Sequence, residues 1–336
     1  MNQSDIYTNT ILEGDAYKNL KILPDQLVNM CVTSPPYWGL RDYGVKGQLG
    51  QESTPGRFIS KMVKIFDEVY RVMKDDGTLW INIGDSYASK GKNRTGSSNI
   101  GRSHWNAGKK QPNKIKNGLK AKDLVGIPWM LAFALREAGW YLRQDIVWHK
   151  TNAMPESVKD RCTKAHEYIF LFSKKEKYYF DQDAILKDAS PNTHARVKQN
   201  IANQNGSTRA NGGTRTERPM KTVMRKVADP NSGIKSNSSF KKAMTNVVPK
   251  VNKRSVWSVA TQKNSYEHFA TFPEALIVDC IKAGCPEGGL VLDPFFGTGT
   301  TGLVARKLQR NYLGIELNPS YIADANDRMN ELGIFK

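Results

Sequence analysis

The chain has 336 residues, of which 39% are hydrophobic and 10% aromatic, and its formal net charge is +18. This length and apolar content predict one large α/β domain with a smaller inserted or appended region, and they exclude a disordered protein. The chain has no apolar run of roughly 18 residues and begins with a polar segment, which predicts a cytoplasmic protein without a membrane span. Its four cysteines lack CxxC spacing, which predicts reduced, buried thiols and no metal site.

The positive charge is concentrated in two segments. Residues 86–122 contain ten Lys and Arg and no acid, whereas residues 187–254 contain fifteen against three acids, so that the rest of the chain carries −4. A basic surface of this kind is typical of proteins that bind a polyanion. We therefore favour a nucleic-acid partner over the alternative of two solvated loops.

Hydrophobic patterning predicts alternating strands and helices along most of the chain. The predicted strands are 11–15, 27–32, 78–83, 141–148, 167–172 (completed by the aromatic residues 178–180), 289–293 and 312–316. The predicted helices are 57–74 (stopped by residues 75–77), 124–138, 273–283, 300–308 and a last one with Asn318 as N-cap and Pro319 at its first position. Such alternation predicts an α/β fold with a doubly wound, mostly parallel sheet.

The strand at 27–32 is followed by the sequence TSPPYW, residues 33–38, here called the TSPPYW loop. Two prolines cannot continue a sheet ladder, and they stiffen the backbone at a strand's carboxyl end, where open α/β sheets bind ligands. The loop presents the Ser34 hydroxyl and the Tyr37 ring. Taken alone, the pattern leaves two interpretations: a ligand-binding loop, or a strand terminator with an aromatic plug.

A second motif, residues 291–302, is a strand, a glycine-rich turn and the start of a helix. Gly297, Gly299 and Gly302 fit the G-x-G-x-x-G pattern, and Glu316 follows at a distance typical of a ribose-binding acid. Asp293 places a carboxylate beside the turn, which repels a pyrophosphate and attracts an amino-acid ammonium group. This favours a nucleoside joined to an amino acid, such as S-adenosylmethionine, over NAD.

The motifs DPFFGTGTT and TSPPYW together resemble those of the DNA amino-methyltransferases, which methylate an exocyclic base nitrogen with S-adenosylmethionine. The catalytic motif precedes the cofactor motif here, which resembles the circularly permuted β group. The resemblance implies a permuted Rossmann-like methyltransferase fold. It also implies three parts: a catalytic half at 1–186 with a basic DNA-contacting loop at 86–122, a target-recognition region at 187–254, and a cofactor-binding half at 255–336.

The resemblance also implies roles for individual residues. The catalytic residues are Ser34, Pro35, Pro36 and Tyr37. The cofactor-binding residues are Asp15, Thr33, His268, Phe272, Pro273, Asp293, Phe295, Gly297, Thr298, Gly299, Thr300 and Glu316, of which Asp15 falls where an acid near the adenine is usual. Residues 148–155 and 166–167 recur in the family's pattern without a role that we can assign.

The chemistry of the loop agrees with the resemblance. An exocyclic amine is a poor nucleophile because its lone pair is delocalised into the ring. The Ser34 hydroxyl and the Pro35 carbonyl accept hydrogen bonds from its N–H groups and so draw the nitrogen toward tetrahedral geometry. Catalysis then rests on positioning and electrostatic stabilisation. Tyr37 stacks on a base flipped out of the duplex. Trp38 either supports this pocket or fills the core.

The target base is predicted from the resemblance alone. Members with Ser before Pro-Pro mostly modify cytosine N4, whereas Asp or Asn there mostly accompanies adenine N6, so we expect cytosine N4 with adenine N6 as the alternative. Carbon-5 methylation is disfavoured, because it needs a cysteine nucleophile in a Pro-Cys context and this chain has only Cys285-Pro286. Outside this class, an NAD-dependent oxidoreductase leaves the TSPPYW loop unexplained, and a non-catalytic DNA-binding protein explains the charge only.

The expected partner is double-stranded DNA, which makes the protein nucleoid-associated. The resemblance leaves open a homodimer and a cognate restriction endonuclease acting on the same site, as in restriction-modification pairs. The basic residues expected to contact DNA are Lys90, Lys92, Arg94, Arg102, Lys109, Lys110, Arg196, Lys198, Arg209, Arg215, Arg218, Arg225 and Lys226.

Overall fold

The computed structural model describes residues 5–40, 44–88, 118–189, 250–262 and 272–331. The chain divides into two compact units. The first joins Met1–Ile185 to Arg254–Lys336, and the second is Leu186–Lys253. The candidate site described below lies within the first unit.

Ten strands are found in the described residues. They are β1 Thr10–Glu13, β2 Val28–Thr33, β3 Met73–Ile83, β4 Tyr141–His149, β5 His166–Ser173, β6 Lys187–Asp188, β7 Lys250–Val251, β8 Val256–Ser258, β9 Leu290–Asp293 and β10 Asn311–Glu316. The short strands β6 and β7 pair antiparallel within the second unit. The other eight form one sheet in the first unit, in the order β1-β10-β9-β2-β3-β5-β4-β8.

Most neighbours in this sheet are parallel. The strands β1, β10, β9, β2 and β3 form a continuous parallel block, β5 is antiparallel to both β3 and β4, and β8 is parallel to β4. The predicted α/β fold with a mostly parallel sheet is therefore confirmed.

Helices cover both faces of the sheet. They are α1 Ala16–Ile22, α2 Pro55–Val72, α3 Ile127–Glu137, α4 Glu274–Gly284, α5 Thr300–Lys307 and α6 Pro319–Glu331. One hydrophobic cluster joins the sheet to α1, α2 and α3, and a second joins it to α4, α5 and α6. In β2, Cys31 belongs to the first cluster, whereas Met30 and Val32 belong to the second. Burial on both faces explains why this strand is apolar throughout.

After the two central strands β2 and β9, the chain continues toward opposite edges of the sheet. From β2 the chain passes through α2 to β3 on one side, and from β9 it passes through α5 to β10 on the other. Since β2 and β9 are parallel neighbours, their carboxyl ends meet at a topological switch point. Open α/β sheets bind their ligands in the crevice at such a point.

Several local predictions are wrong. Residues 178–180 form no strand; the Tyr179 N–H donates to the Asp76 carbonyl at 2.8 Å, and the ring of Phe180 stacks on Trp80 with centroids 6.4 Å apart. Residues 75–77 do not stop the helix, because α2 ends at Val72 and these residues lie within β3, which begins at Met73. Of the four free cysteines, Cys162 is exposed rather than buried. Among the described helices, none is both long and apolar enough to cross a membrane.

Candidate active site

A buried hydrogen bond joins the carboxyl ends of β2 and β9 at the crevice. The last residue of β2, Thr33, donates from Oγ1 to Oδ1 of Asp293, the last residue of β9, at 2.6 Å. Thr301 Oγ1, in the first turn of α5, donates to the other oxygen, Oδ2, at 2.6 Å. The backbone N–H of Phe295 also donates to Oδ1, at 3.0 Å. Asp293 therefore ties the start of the TSPPYW loop to the start of the cofactor motif.

The surroundings of Asp293 change its acidity. The residue is 2% exposed, and burial raises the pKa of its carboxyl to about 6, even though the hydrogen bonds from Thr301 and Thr33 act in the opposite direction. Both oxygens already accept from protein donors. A direct contact between Asp293 and an ammonium group stays a prediction.

The glycine turn, residues 294–299, lies immediately beyond this bond. Gly297 and Gly299 have φ angles of +54° and +81°, in the left-handed region that favours glycine, and Gly299 is the N-cap of α5. In the described part of the chain, no atom outside the glycine and its two neighbours lies within 4 Å of the position of a Cβ on Gly297, so these residues leave open space beside the backbone. The turn can therefore bring main-chain groups close to a ligand.

Glu316 closes the other side of the turn. At the end of β10 its carboxylate accepts from Gly297 N at 2.7 Å and from Asn318 N at 2.8 Å. Glu13 of β1 is its parallel neighbour, so Asp15 follows at the same edge of the sheet. The sequence predicted that Asp15 ends a strand. In the structure it caps α1 instead, where its side chain accepts from Lys18 N at 2.9 Å.

Arg328 supports the outer side of the turn from α6. Its Nη1 donates to the Thr298 carbonyl at 2.6 Å and lies 3.1 Å from Thr298 Oγ1 and 3.3 Å from Thr300 Oγ1. Arg328 is absent from the residues predicted from the sequence, because nothing in the local pattern of the last helix links it to a turn 30 residues earlier.

The TSPPYW loop leaves β2 with Ser34, Pro36 and Tyr37 half-buried and Pro35 buried. Trp38 is 4% exposed, and its indole N–H donates to the Glu52 carbonyl at 2.8 Å. Of the two interpretations of Trp38, the structure supports the core residue.

A charged cluster lies at the far end of the loop. The Tyr37 hydroxyl donates to Glu167 Oε2 at 2.7 Å, and Glu167 Oε1 forms an ion pair with Lys150. Asn82 of β3 also donates to Glu167 Oε2, at 3.3 Å. Lys150 and Glu167 belong to the recurring motifs whose role the sequence left open. Asn82 was missed, because only the pairing of β3 with β5 brings it here.

The matching family model identifies the chain. Residues 28–327 match the model of the N6_N4_Mtase family, described as DNA methylase. The chain belongs to this DNA methylase family. It is 44% identical over 327 residues to the type II methyltransferase M.Cfr9I of Citrobacter freundii, in an alignment that covers 95% of this chain and 87% of that one. It is 41% identical to M.SmaI of Serratia marcescens, over 97% and 92% of the two chains.

Solved structures share the fold of this methylase. The PvuII cytosine-N4-specific DNA methyltransferase superposes with a TM-score of 0.59 at 17% identity, covering 96% of this chain and 86% of that one. TTHA0409 from Thermus thermophilus, solved in complex with S-adenosyl-L-methionine, gives 0.53 at 21% identity, over 96% and 93% of the two chains. The predicted Rossmann-like methyltransferase fold is thus confirmed.

The structure of the methylase brings together most of the predicted site. The catalytic residues follow β2. The cofactor residues from Asp293 to Thr300 lie beside them, at the last residue of β9 and directly after it. Phe295 is half-buried, Phe272 is buried, and Pro273 is the N-cap of α4. His268 and all thirteen predicted DNA-contacting residues lie outside the described residues. In the described ranges, no three His, Cys, Asp or Glu side chains cluster as metal ligands would.

Proposed function

We propose that this DNA methylase transfers the methyl group of S-adenosylmethionine to N4 of a cytosine flipped out of double-stranded DNA. The observation that supports it best is the hydrogen bond between Thr33 and Asp293. This bond joins the last residues of two parallel neighbouring strands, so the TSPPYW loop and the glycine turn leave the sheet at the same point. A methyl acceptor held by the first and a methyl donor held by the second would then be adjacent.

The residues around the glycine turn fit the cofactor. S-adenosylmethionine, when bound, supplies an electrophilic methyl group on a sulfonium sulfur. The open space over Gly297 admits the cofactor close to the backbone, and the Glu316 carboxylate beside it can accept from ribose hydroxyls. Asp15 lies at the same edge of the sheet, where we assign it to the adenine end. His268, Phe272 and Pro273 are assigned to the methionine end.

The TSPPYW loop supplies the groups that present the amine. The Ser34 hydroxyl and the Pro35 carbonyl accept from the two N–H groups of the target amine, so that its lone pair turns toward the methyl group. Pro35 and Pro36 fix the backbone that carries these acceptors. The half-buried Tyr37 ring offers a face on which the flipped base can stack, offsetting part of the cost of unstacking it from the duplex.

Ser34 is the basis for proposing cytosine N4 rather than adenine N6. The family resemblance associates Ser at this position with cytosine, although a hydroxyl can accept from either amine. The test is to incubate random-sequence DNA with the protein and labelled S-adenosylmethionine, digest it to nucleosides and identify the product by mass. We expect N4-methylcytosine. N6-methyladenine would overturn the assignment of the base, and the absence of a labelled nucleoside would overturn the whole proposal.

The segment 187–254 is proposed as the target-recognition region, with 86–122 as a second DNA-contacting loop. Both assignments are supported by the concentration of positive charge in these two segments. We expect DNA affinity to fall steeply as salt rises, because neutralised phosphates release counterions. A nearly flat dependence, measured by fluorescence anisotropy between about 50 and 200 mM salt, would count against these contacts. By the same proposal a restriction endonuclease that cuts the same site when it is unmethylated is a functional partner.

A further inference from the structure

The TSPPYW loop contacts a part of the chain that the mechanism above does not use. The Tyr37 hydroxyl donates to Glu167 Oε2 at 2.7 Å, across 130 residues of sequence. A hydrogen bond of this length between a hydroxyl and a carboxylate belongs to a class roughly twice as strong as a neutral pair. The ring is therefore fixed at its far end as well as by its backbone.

Glu167 is itself held in place from two directions. Its Oε1 forms an ion pair with the Lys150 ammonium, and its Oε2 accepts from Asn82 Nδ2 at 3.3 Å. The Asn82 amide also donates to the Tyr168 carbonyl at 3.1 Å, which fixes the orientation of the amide. The side chains of Glu167 and Lys150 are 13% and 23% exposed, so water screens the pair only partly.

Close packing adds to the hydrogen bonds. A Cβ on Gly84, just beyond β3, would lie 2.7 Å from Tyr37 Cε2 and 3.2 Å from Glu167 Cδ. The backbone of residue 84 therefore lies directly against the edge of the ring and the carboxyl group. Lys150 in turn has its ammonium 4.7 Å from the centroid of the Trp148 ring. Each member of the cluster has at least two contacts that define its position.

We propose that Glu167, held by Lys150 and Asn82, is a positioning residue that fixes the Tyr37 ring in the orientation needed to stack on the flipped base. This inference rests on the proposed function. The Tyr ring moves about two side-chain torsions. The bond at the hydroxyl opposes rotation about χ1, which would swing the ring away from the base, and the close approach of residue 84 to Cε2 opposes rotation of the ring plane about χ2. A small displacement of a stacking group lowers the rate because the amine then misses its line to the methyl group.

The test compares Tyr37→Phe, Glu167→Gln and the double variant in single-turnover methylation of DNA. We expect each single variant to lower the rate about tenfold, as loss of one charge-assisted hydrogen bond implies. The dissociation constant of S-adenosylmethionine should stay within about twofold, because the bond lies at the end of the loop away from the glycine turn. Tyr37→Phe removes the donor and Glu167→Gln removes the charge of the acceptor, so that both changes act on the same charge-assisted bond. We therefore expect the double variant to lose about tenfold as well, rather than about a hundredfold.

The matched control is Glu68→Gln on α2, which removes a similarly buried ion-paired carboxylate (19% exposed, paired with Arg71) far from the loop. It should methylate at the wild-type rate. If the rate losses of the two single variants multiplied in the double variant, the positioning role would be overturned. A wild-type rate in Tyr37→Phe, a variant that removes a single oxygen atom, would overturn it as well. If the wild type itself methylates no DNA, the proposed function fails. If it does and the variants match it, only this inference fails.

Discussion

Thr33 and Tyr37, near the two ends of the TSPPYW loop, each donate a hydroxyl hydrogen bond to a carboxylate, but the surroundings of the two carboxylates differ. Asp293 is buried and receives only hydroxyls and a backbone N–H, so burial raises the pKa of its carboxyl to about 6. Glu167 is partly exposed and paired with the Lys150 ammonium. These two hydrogen bonds, from Thr33 and from Tyr37, are here called the tethers of the loop. One tether ends on a carboxyl whose pKa is raised to about 6, and the other on a carboxylate whose charge is compensated by a cation.

The largest expected effect lies between the tethers, at Ser34. Ser34→Ala removes an acceptor for the target amine but touches neither tether. We expect the rate of methyl transfer to fall about 100-fold or more, as loss of a group aimed at the reacting centre does in other enzymes. Calorimetric titration should show unchanged affinity for S-adenosylmethionine. Ser60→Ala, which removes a hydroxyl bonded to the Gly56 carbonyl on α2, is the control. An unchanged rate in Ser34→Ala would contradict the catalytic role of the loop.

The next effect is the pH dependence of the stability that Asp293 contributes. The folded protein binds a proton at Asp293 more tightly than the unfolded chain does, whose carboxyl has the ordinary pKa of 3.8. Stability from this group is therefore present below about pH 4 and is lost as pH rises to about 6, by about 3 kcal/mol. Since Asp293→Asn cannot titrate, the difference in free energy of unfolding between wild type and variant isolates the group.

Urea denaturation at a series of pH values checks this prediction. The stability of the wild type relative to Asp293→Asn should decline between about pH 4 and 6 and then level off. A difference between wild type and Asp293→Asn that stays constant over this range would show that the buried carboxyl does not titrate there.

The smallest effect concerns the Thr33 hydroxyl alone. Thr33→Val keeps the shape of the side chain but removes the donor to Asp293, which we expect to cost about 1–2 kcal/mol of stability. The pKa of Asp293 should also rise further, because that hydrogen bond lowers it. Thr33→Ser retains the hydroxyl and should lose less than half as much. Equal losses in the two variants would mean that packing, not the hydrogen bond, holds this end of the loop.

The sequence was sufficient for the fold and for both loops because their signals are local. Alternating apolar segments predicted the strands and helices, the double proline predicted where β2 ends, and glycines at 297 and 299 predicted the turn. The error at residues 178–180 arose where aromatic residues with high β-propensity pack their rings instead, as Phe180 does on Trp80.

The tethers could not be predicted in the same way. The bonds from Thr33 to Asp293 and from Tyr37 to Glu167 join residues 260 and 130 positions apart. They depend on β9 lying beside β2 and on β5 lying beside β3, which the patterning of individual segments does not specify. Arg328 was missed for the same reason. The base and the DNA contacts stay predictions, since the first rests on resemblance and the second on residues outside those described.

The position of β2 in the sheet has a consequence for the newly made protein on the ribosome. One edge of β2 pairs with β3, which is the next strand along the chain, but its other edge pairs with β9, which is translated last but one among the described strands. At roughly 5–20 residues per second, that edge waits tens of seconds for its partner. During this interval an apolar central strand is open to pairing with other chains, and the crevice does not yet exist. A nascent chain therefore cannot methylate DNA until the segment that contains β9 and the glycine turn has been released and inserted.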